Sequence, residues 1–160
     1  MKSYFNAVIS QHMKNLLTPA HFRRMGAAES FDSAAAVLIE CGWDENIIKH
    51  NTNNEDVIVE SQREKFMRLF AKLCPDAGLL KVCLEPSAEN LKHIKDVQVR
   101  EYFRTRNIDV LDKFDVFGLS LPLRWFILNQ REFKIVKTIL LGKKLELSRE
   151  KIRQLVGEII

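Results

Sequence analysis

The sequence is poor in the residues from which reactive sites are usually built. It contains three cysteines, none of them in a CxxC pair, four histidines and six glycines. The motifs GxSxG, HExxH, GxGxxG and Walker A do not occur in it. Because several glycines stand where helices are expected to end, few remain for a phosphate-binding loop. We therefore expect a protein that is not an enzyme and that uses no metal and no cofactor.

Long apolar runs and a secretory leader are also missing. No apolar run reaches the roughly 18 residues that a membrane-spanning helix needs, and residues 1–14 lack the continuous apolar core of a signal peptide. Cys41, Cys74 and Cys83 each lie among apolar neighbours, which predicts buried free thiols. These features predict a cytoplasmic protein in a reducing compartment.

What the sequence does have is helical periodicity, without an alternating strand pattern of any length. The apolar spacing predicts an all-α fold, a compact bundle of about seven to nine helices. It also predicts a single domain over residues 1–160, with a candidate sub-boundary near residues 85–88. The predicted helices are residues 3–17, 19–25, 31–41, 55–73, 77–84, 88–106 with a break near Asp96, 108–114, 122–141 and 149–159, while residues 43–53 are predicted to form turns.

Local signals mark the ends of these helices. Polar residues that commonly cap helix N-termini precede most of the segments: Thr18, Ser30, Asn53 or Asn54, Asp76, Ser87, Asn107 and Ser148. Gly26, Gly42 and Gly142 are predicted to terminate helices, and Gly142 is expected to need a positive φ. Lys143 and Lys144 would then lie at the negative end of the helix dipole.

Apolar positions predict which helix faces are buried. In residues 55–73 these positions are Val57, Ile58, Phe66, Met67, Leu69, Phe70 and Leu73. In residues 121–160 they are Trp125, Leu128, Ile135, Val136, Ile139, Leu140, Ile152, Leu155, Val156 and Ile159. Residues 121–160 form the longest sustained helical pattern in the chain, and they carry a basic flank without a reactive group.

The charged residues permit several kinds of partner. A net charge of +4 is mild and selects none of them by itself. Basic side chains at half-exposed helix positions are predicted to face an acidic protein partner: Lys134, Lys137, Lys143, Lys144, Arg149 and Arg153. Reversing Lys143 and Lys144 to Glu is accordingly expected to weaken that association and to leave the fold intact.

Two other groupings of charge have simpler explanations. Glu60 and Glu64 share a helix face, but basic residues lie between them and indicate a salt-bridged surface rather than a carboxylate site. Residues 93–106 combine basic side chains with Tyr102 and Phe103, as modules that bind single-stranded nucleic acid do. Since both aromatic residues fall on the predicted buried stripe, nucleic acid is the less favoured partner.

Taken in order, three segments resemble the C subunit of bacterial and archaeal V/A-type rotary ATPases, which is called the d subunit in eukaryotes. They are YFNAVISQHMKNLLTPAHFRRMGAAESFDSAAAVLIECGW (residues 4–43), ENLKHIK (89–95) and PLRWFILNQREFKIVKTILLGKKLELSREKIRQLV (122–156). The last segment keeps the family's pattern of Glu132, Lys137, Ile139, Gly142-Lys143, Glu150 and Ile152-Arg153. Family members are usually much longer, and Ser87-Ala88-Glu89 displaces the acidic residue that usually precedes Asn-Leu-Lys. The chain is thus similar to a shortened member of that family.

The resemblance implies a fold related to the lobes of that subunit and a non-catalytic role. The V-type ATPase component in question lies in the central stalk and couples the rotor shaft to the membrane ring during ATP-linked proton or sodium ion transport. Its partners would be the shaft and rotor-ring subunits, and it would be cytoplasmic and peripheral to the membrane without inserting into it. Asn90 and Lys92, in the second segment, join the candidate partner-binding residues on this ground.

A second resemblance leaves an alternative open. SAAAVLIECGWD (residues 33–44) and PLRWFILNQREFKIVKTILLGK (122–143) resemble helices of ankyrin repeats, which are protein–protein interaction modules. The expected period of about 33 residues is absent. A helical adaptor that binds other proteins is therefore the alternative, with a basic nucleic-acid-binding module behind it.

Overall fold

Every regular element of the described chain is a helix. The computed structural model describes residues 2–115 and 117–157, and none of these residues lies in a β-strand. The all-α prediction is therefore confirmed. The α-helices are α1 (Lys2–Met13), α2 (Pro19–Ala27), α3 (Phe31–Glu40), α4 (Glu45–Lys49), α5 (Glu55–Leu73), α6 (Ala77–Leu84), α7 (Ala88–Leu91), α8 (Val97–Thr105), α9 (Ser120–Lys144) and α10 (Arg149–Val156), and a 3₁₀ helix covers Ile108–Val110. The predicted core position Ile159 lies outside the described residues.

The chain divides into two compact units. Unit 1 consists of Met1–Asn15 and Met67–Asn129, and unit 2 consists of Leu16–Phe66 and Gln130–Ile160. The predicted sub-boundary at residues 85–88 lies inside unit 1. Since two of the divisions fall within helices, α5 and α9 each contribute residues to both units. The organisation of residues 1–160 as one domain stays a prediction.

Most helices begin where the sequence predicts. Side-chain oxygens accept a hydrogen bond from the backbone N–H three residues further on at Thr18, Ser30, Asp76, Ser87 and Ser148. Each such cap satisfies a backbone donor that the helix itself leaves unpaired, and it stabilises the fold by about 1 kcal/mol. Helix starts are therefore set by local chemistry that the sequence displays directly.

Two of the three predicted glycine stops are wrong. Gly42 has φ +93 after α3 and lies in the left-handed region as predicted. Gly26 and Gly142 instead lie inside α2 and α9, and both are buried. At the end of α9 it is Glu146, with φ 57, that takes the left-handed conformation expected of Gly142. Neither of these two glycines therefore terminates its helix.

The reason for Gly142 is its contact with α10 in unit 2. A Cβ added at Gly142 would lie 2.5 Å from Cγ1 and 2.8 Å from Cδ1 of Ile152, which is fully buried. Such separations are well inside van der Waals contact. Glycine is needed here because α10 packs directly against the backbone of α9, a tertiary contact that local sequence signals do not reveal.

Other differences concern short elements. α1 ends at Met13 rather than at residue 17, because the backbone tightens into successive turns at residues 14 and 15. The predicted turns of residues 43–53 contain α4, whose N-terminus is capped by Asp44. Beyond α8, the helix predicted over 108–114 is reduced to the 3₁₀ helix. The segments 14–17 and 108–114 carry helical periodicity over too few residues to fix a helix without supporting contacts.

Some predicted core positions are exposed. Val57 and Leu155 face solvent, whereas Val59 is buried in place of Val57. Both exposed residues lie near a helix terminus, where a partial turn of pattern does not define the buried face. Trp125, Val136 and Ile139 are buried as predicted, the last two completely.

Each unit contains aromatic rings that contact one another. In unit 1, the ring of Phe70 lies 5.8 Å from Trp125 and 5.2 Å from Phe126. In unit 2, Phe133 lies 6.3 Å from Trp43 and 6.0 Å from Phe66. Tilted and edge-on pairs of this kind add about 0.5–1.5 kcal/mol each to the apolar burial.

Within the described residues, no helix is both long enough and apolar enough to cross a membrane.

Candidate functional site

Two side chains of α9 hold the two ends of α2 in unit 2. The Glu132 carboxylate accepts a hydrogen bond of 2.7 Å from the backbone N–H of Leu17, two residues before α2 begins. The Lys143 ammonium donates a bond of 2.7 Å to the backbone carbonyl of Gly26, in the last turn of α2. A helix carries partial positive charge at its N-terminus and partial negative charge at its C-terminus. The acid and the base on α9 therefore complement the dipole of α2.

Glu132 is a buried carboxyl group. It is only 8% exposed, and burial raises its pKa from 4.5 to about 7, although the hydrogen bond from Leu17 favours the charged form. Among the described residues, no cation lies within salt-bridge distance of it. Its negative charge is thus incomplete at neutral pH, and the site has a backbone donor in place of a counter-ion.

The other lysines in the C-terminal half of α9 also bind groups on neighbouring helices of unit 2. Lys144 lies 3.3 Å from the carboxylate of Glu55, which is 4% exposed in the first turn of α5. Lys137 lies 2.8 Å from Asp56, and its hydrogen bond lowers the pKa of that exposed carboxyl group. Burial, followed by the nearby charge of Arg149, lowers the pKa of Lys143. These three lysines, predicted to face a partner, already have acceptors inside unit 2.

The remaining candidates in unit 2 are more open. Arg153 pairs with Glu150 at 3.5 Å on α10. Lys134 and Arg149 are exposed, and within the described part of the chain neither has a carboxylate at salt-bridge distance. Of the six basic residues predicted here, Lys134 and Arg149 are therefore the most accessible to a partner. That a partner binds them stays a prediction.

In unit 1, Asn90 and Lys92 have different surroundings. Asn90 is buried, and its amide donates a bond of 2.8 Å to the carbonyl of Glu85, which ties α7 to the turn after α6. Lys92 is exposed and lies 3.0 Å from Glu89 on the same helical turn. Asn90 thus stabilises the local fold, while Lys92 remains at the surface.

Lys92 lies at the rim of an open groove in unit 1. The groove has a volume of about 570 Å³ and runs between α8 and α7 with the turn that follows it. Its apolar surface comes mainly from Leu91, Val97 and Phe103. The charged residues that line it are Lys92, Lys95, Arg100, Glu101 and Arg104. We refer to it below as the α7–α8 groove.

The charges around the α7–α8 groove are unbalanced. The single acid among its lining residues, Glu101, binds Arg104 through Nε at 2.9 Å, and this hydrogen bond lowers the pKa of Glu101. No carboxylate of residues 2–115 or 117–157 lies within salt-bridge distance of Lys95 or Arg100. The groove therefore presents two unneutralised cations beside apolar side chains.

The cysteines and histidines considered in the sequence analysis lie apart from one another or inside the fold. In the described residues, no three His, Cys, Asp or Glu side chains come together as a metal site. All three cysteines are free thiols, Cys83 buried and Cys41 and Cys74 partly so, and burial raises the pKa of each. The expectation of buried thiols is thus met fully only at Cys83.

The aromatic residues of segment 93–106 are engaged within unit 1. Tyr102 is buried and Phe103 is half-buried. The guanidinium of Arg106 lies over both rings, at 5.9 Å from Tyr102 and 5.1 Å from Phe103. Tyr102 therefore offers no open ring face for base stacking, and Arg106 covers one face of Phe103. The expectation that these rings belong to the buried stripe is confirmed for Tyr102.

Sequence reasoning did not identify the role of Glu132. A signal was available, because Glu132 stands four residues from both Leu128 and Val136 on the predicted apolar stripe. A carboxyl group on a buried face needs a partner, and it therefore marks a polar contact. For Lys95 and Arg100 no such signal exists, because the distance to the nearest carboxylate depends on the tertiary fold.

Comparison with known proteins identified no relative of the chain. The chain matches no family model, no curated protein and no solved structure.

Proposed function

We propose that this chain is a non-catalytic protein-binding subunit, a shortened relative of the C/d subunit in the central stalk of V/A-type rotary ATPases. In that position it would couple the rotor shaft to the membrane ring during ATP-linked proton or sodium transport. The supporting observation concerns the residues on which the resemblance of segment 122–156 rests. Glu132, Gly142, Lys143 and Ile152 all make specific contacts that fix helices of unit 2 together.

Such construction suits a part that transmits force. Force transmission needs helices that keep their positions under load, and it needs no reactive side chain. The acid and the lysines of α9 bind helix ends and neighbouring carboxylates within unit 2. Their use in internal contacts supports a structural role over a catalytic one.

Copurification under native conditions tests the proposal. Tagged chain should bring down the shaft and rotor-ring subunits, identified by mass spectrometry, with recovery that falls as salt is raised if charged surfaces steer the assembly. A tagged chain carrying Gly142→Val is the matched control, because it disturbs unit 2 without changing charge. Recovery of neither subunit by the native chain would contradict the stalk assignment.

The α7–α8 groove favours a second candidate, a helical adaptor that acts outside a rotary ATPase. Helix α9, with 25 residues, is too long for a repeat of about 33 residues that must hold two helices and a turn. The adaptor would therefore not be built from ankyrin repeats. Copurification with identified proteins unrelated to ATPases, and not with stalk subunits, would favour this candidate.

A further inference from the structure

The α7–α8 groove has the dimensions and the surface of a binding site that is unoccupied by any segment of unit 1. Its volume of about 570 Å³ falls within the roughly 300–1,000 Å³ typical of ligand-binding clefts. Val97, the first residue of α8, leaves 79% of its surface in water. Leu91 and Phe103 are half-buried beside it. Covering a valine at this exposure removes apolar surface from water, which favours binding.

The charged rim limits what can cover these apolar residues. Glu101 is already engaged by Arg104, and Lys92 has Glu89 beside it. Lys95 and Arg100 have no carboxylate within reach in the described chain, so an incoming acidic group would neutralise them without displacing an existing partner. Charge complementarity of this kind mainly determines partner choice and association rate.

We infer that the α7–α8 groove binds an acidic amphipathic helix of another protein. Apolar residues on one face of that helix would cover Val97, Leu91 and Phe103, and acidic residues flanking that face would pair with Lys95 and Arg100. Apolar anchors at helical spacing with charged flanks are the usual content of a helix laid into a groove. This inference deepens the proposed function, since it rests on the proposal that the chain binds another protein. It does not require that the chain belong to a rotary ATPase.

Other occupants fit the surface less well. A second copy of the chain carries a net charge of +4 and would bring positive charge towards a positive groove. A nucleic-acid strand binds through several stacked bases, whereas a single ring, that of Phe103, is among the residues that line the groove, and Tyr102 is buried. A lone inorganic anion would leave the apolar floor of the groove in water. An acidic helix satisfies both the apolar and the charged parts of the site.

Selection from a displayed library tests the inference with the purified chain. The library would present surface-randomised α-helices of about three turns on a fixed scaffold. Enriched sequences should combine an apolar stripe at i, i+3 or i+4, and i+7 with net negative charge. Enrichment of helices without an acidic bias, or no enrichment over an unrelated basic protein, would overturn the inference.

Variants then locate the binding site. Lys95→Glu with Arg100→Glu should weaken a selected peptide by about tenfold or more in fluorescence anisotropy. The matched control is Lys72→Glu with Lys81→Glu, which changes two exposed cations of unit 1 outside the groove and should alter affinity less than about twofold. Equal loss in both variants would mean non-specific charge attraction and would overturn the inference.

A charge exchange separates binding from damage to the fold. The Lys95→Glu and Arg100→Glu variant should regain affinity for a peptide in which lysines replace the flanking acids. Its thermal unfolding should match that of the native chain, since neither residue has an ionic partner to lose within the described chain. If the groove binds anionic phospholipid vesicles or a thymine oligonucleotide and binds no peptide, the inference of a protein helix is overturned. Failure of the copurification experiment above would leave these results unchanged.

Discussion

Basic side chains line two regions of the chain, the α7–α8 groove in unit 1 and the C-terminal half of α9 in unit 2. In the groove, Lys95 and Arg100 have no carboxylate within salt-bridge distance among the described residues. On α9, Lys143 binds the last turn of α2 and Lys144 binds a buried carboxylate on α5. A basic residue therefore indicates an external partner only after the acceptors within its own fold have been identified. Four predictions test this difference and the contacts of α9 behind it, and they are given in order of decreasing effect.

The strongest contrast comes from reversing Lys143 and Lys144 to Glu. A glutamate at position 144 would face Glu55, which is 4% exposed, and removal of the partner of a buried charge costs on the order of 3–5 kcal/mol. We therefore expect a large loss of stability in urea unfolding, in place of the intact fold that the sequence suggests. The Lys95→Glu and Arg100→Glu variant changes net charge equally and should unfold like the native chain. Equal stability of the two variants would remove the distinction between the regions.

The buried carboxyl group of Glu132 should make unit 2 sensitive to pH. Its pKa in the folded chain is about 7, above its ordinary value of 4.5, so the folded state binds the additional proton between these values. Its stabilising contribution is complete below pH 4.5 and is lost as pH rises through 7. The loss is on the order of 3 kcal/mol for a shift of this size.

Glu132→Gln is the matched control for that effect. Its amide oxygen can still accept the hydrogen bond from Leu17, but it does not titrate. Urea unfolding of both proteins from pH 4 to 8 should show the native chain losing stability relative to the variant as pH rises. A difference that stays constant with pH would contradict the assigned titration.

The packing of α10 on α9 gives the third prediction. Gly142→Val should destabilise by about 1–3 kcal/mol, because its Cβ would overlap Ile152. The loss of stability is steric. It does not arise from the positive φ that the sequence predicts for Gly142. In an Ile152→Ala background the overlap is removed, so Gly142→Ala should be neutral or favourable there, as alanine is in most helices.

Gly42→Ala provides the comparison for that experiment. Gly42 has φ +93 and no atom within 4 Å of an added Cβ, so its cost is purely conformational. Thermal unfolding should show that Ile152→Ala changes the effect of substitution at Gly142 and leaves that at Gly42 unaltered. If both sites respond alike, the contact between Gly142 and Ile152 does not limit the packing.

The smallest effect is expected from Lys137→Ala. Its pair with Asp56 is exposed on both sides, and such pairs contribute little to stability. The clearest consequence is a rise in the pKa of Asp56 towards its ordinary value of 3.8, measurable by NMR titration. Since this pKa is depressed in the folded state, any stabilisation exists above pH 3.8 and disappears as pH falls. An unchanged Asp56 titration would show that the pair does not persist in solution.

The features that the sequence predicts well are those with local causes. Thr18, Ser30 and Ser148 cap helices because a hydroxyl oxygen reaches a backbone N–H three residues further on. That geometry depends on the adjoining residues alone. Periodicity likewise predicts the long helices α5 and α9, since many residues contribute to each pattern.

The features that the sequence misses depend on distant residues. Gly142 looks like a helix stop until Ile152 is known to lie against it. Lys143 looks like a surface contact until Gly26, 117 positions away in the chain, is found beside it. The α7–α8 groove is composed of residues near in sequence, but its lack of carboxylates is a property of the folded chain. Candidate sites on helical surfaces are for this reason harder to predict than the helices themselves.

The contacts that Glu132 and Lys143 make at the two ends of α2 also fix the position of α2 along α9. Eleven positions separate these residues on α9, about 16 Å at 1.5 Å per residue, and they meet the chain just before α2 and in its last turn. A shift of α2 along α9 by one helical turn, about 5.4 Å, would break the hydrogen bond of Glu132 and that of Lys143 in the same movement. Sliding of these two helices past each other is therefore opposed by hydrogen bonds at both ends of α2.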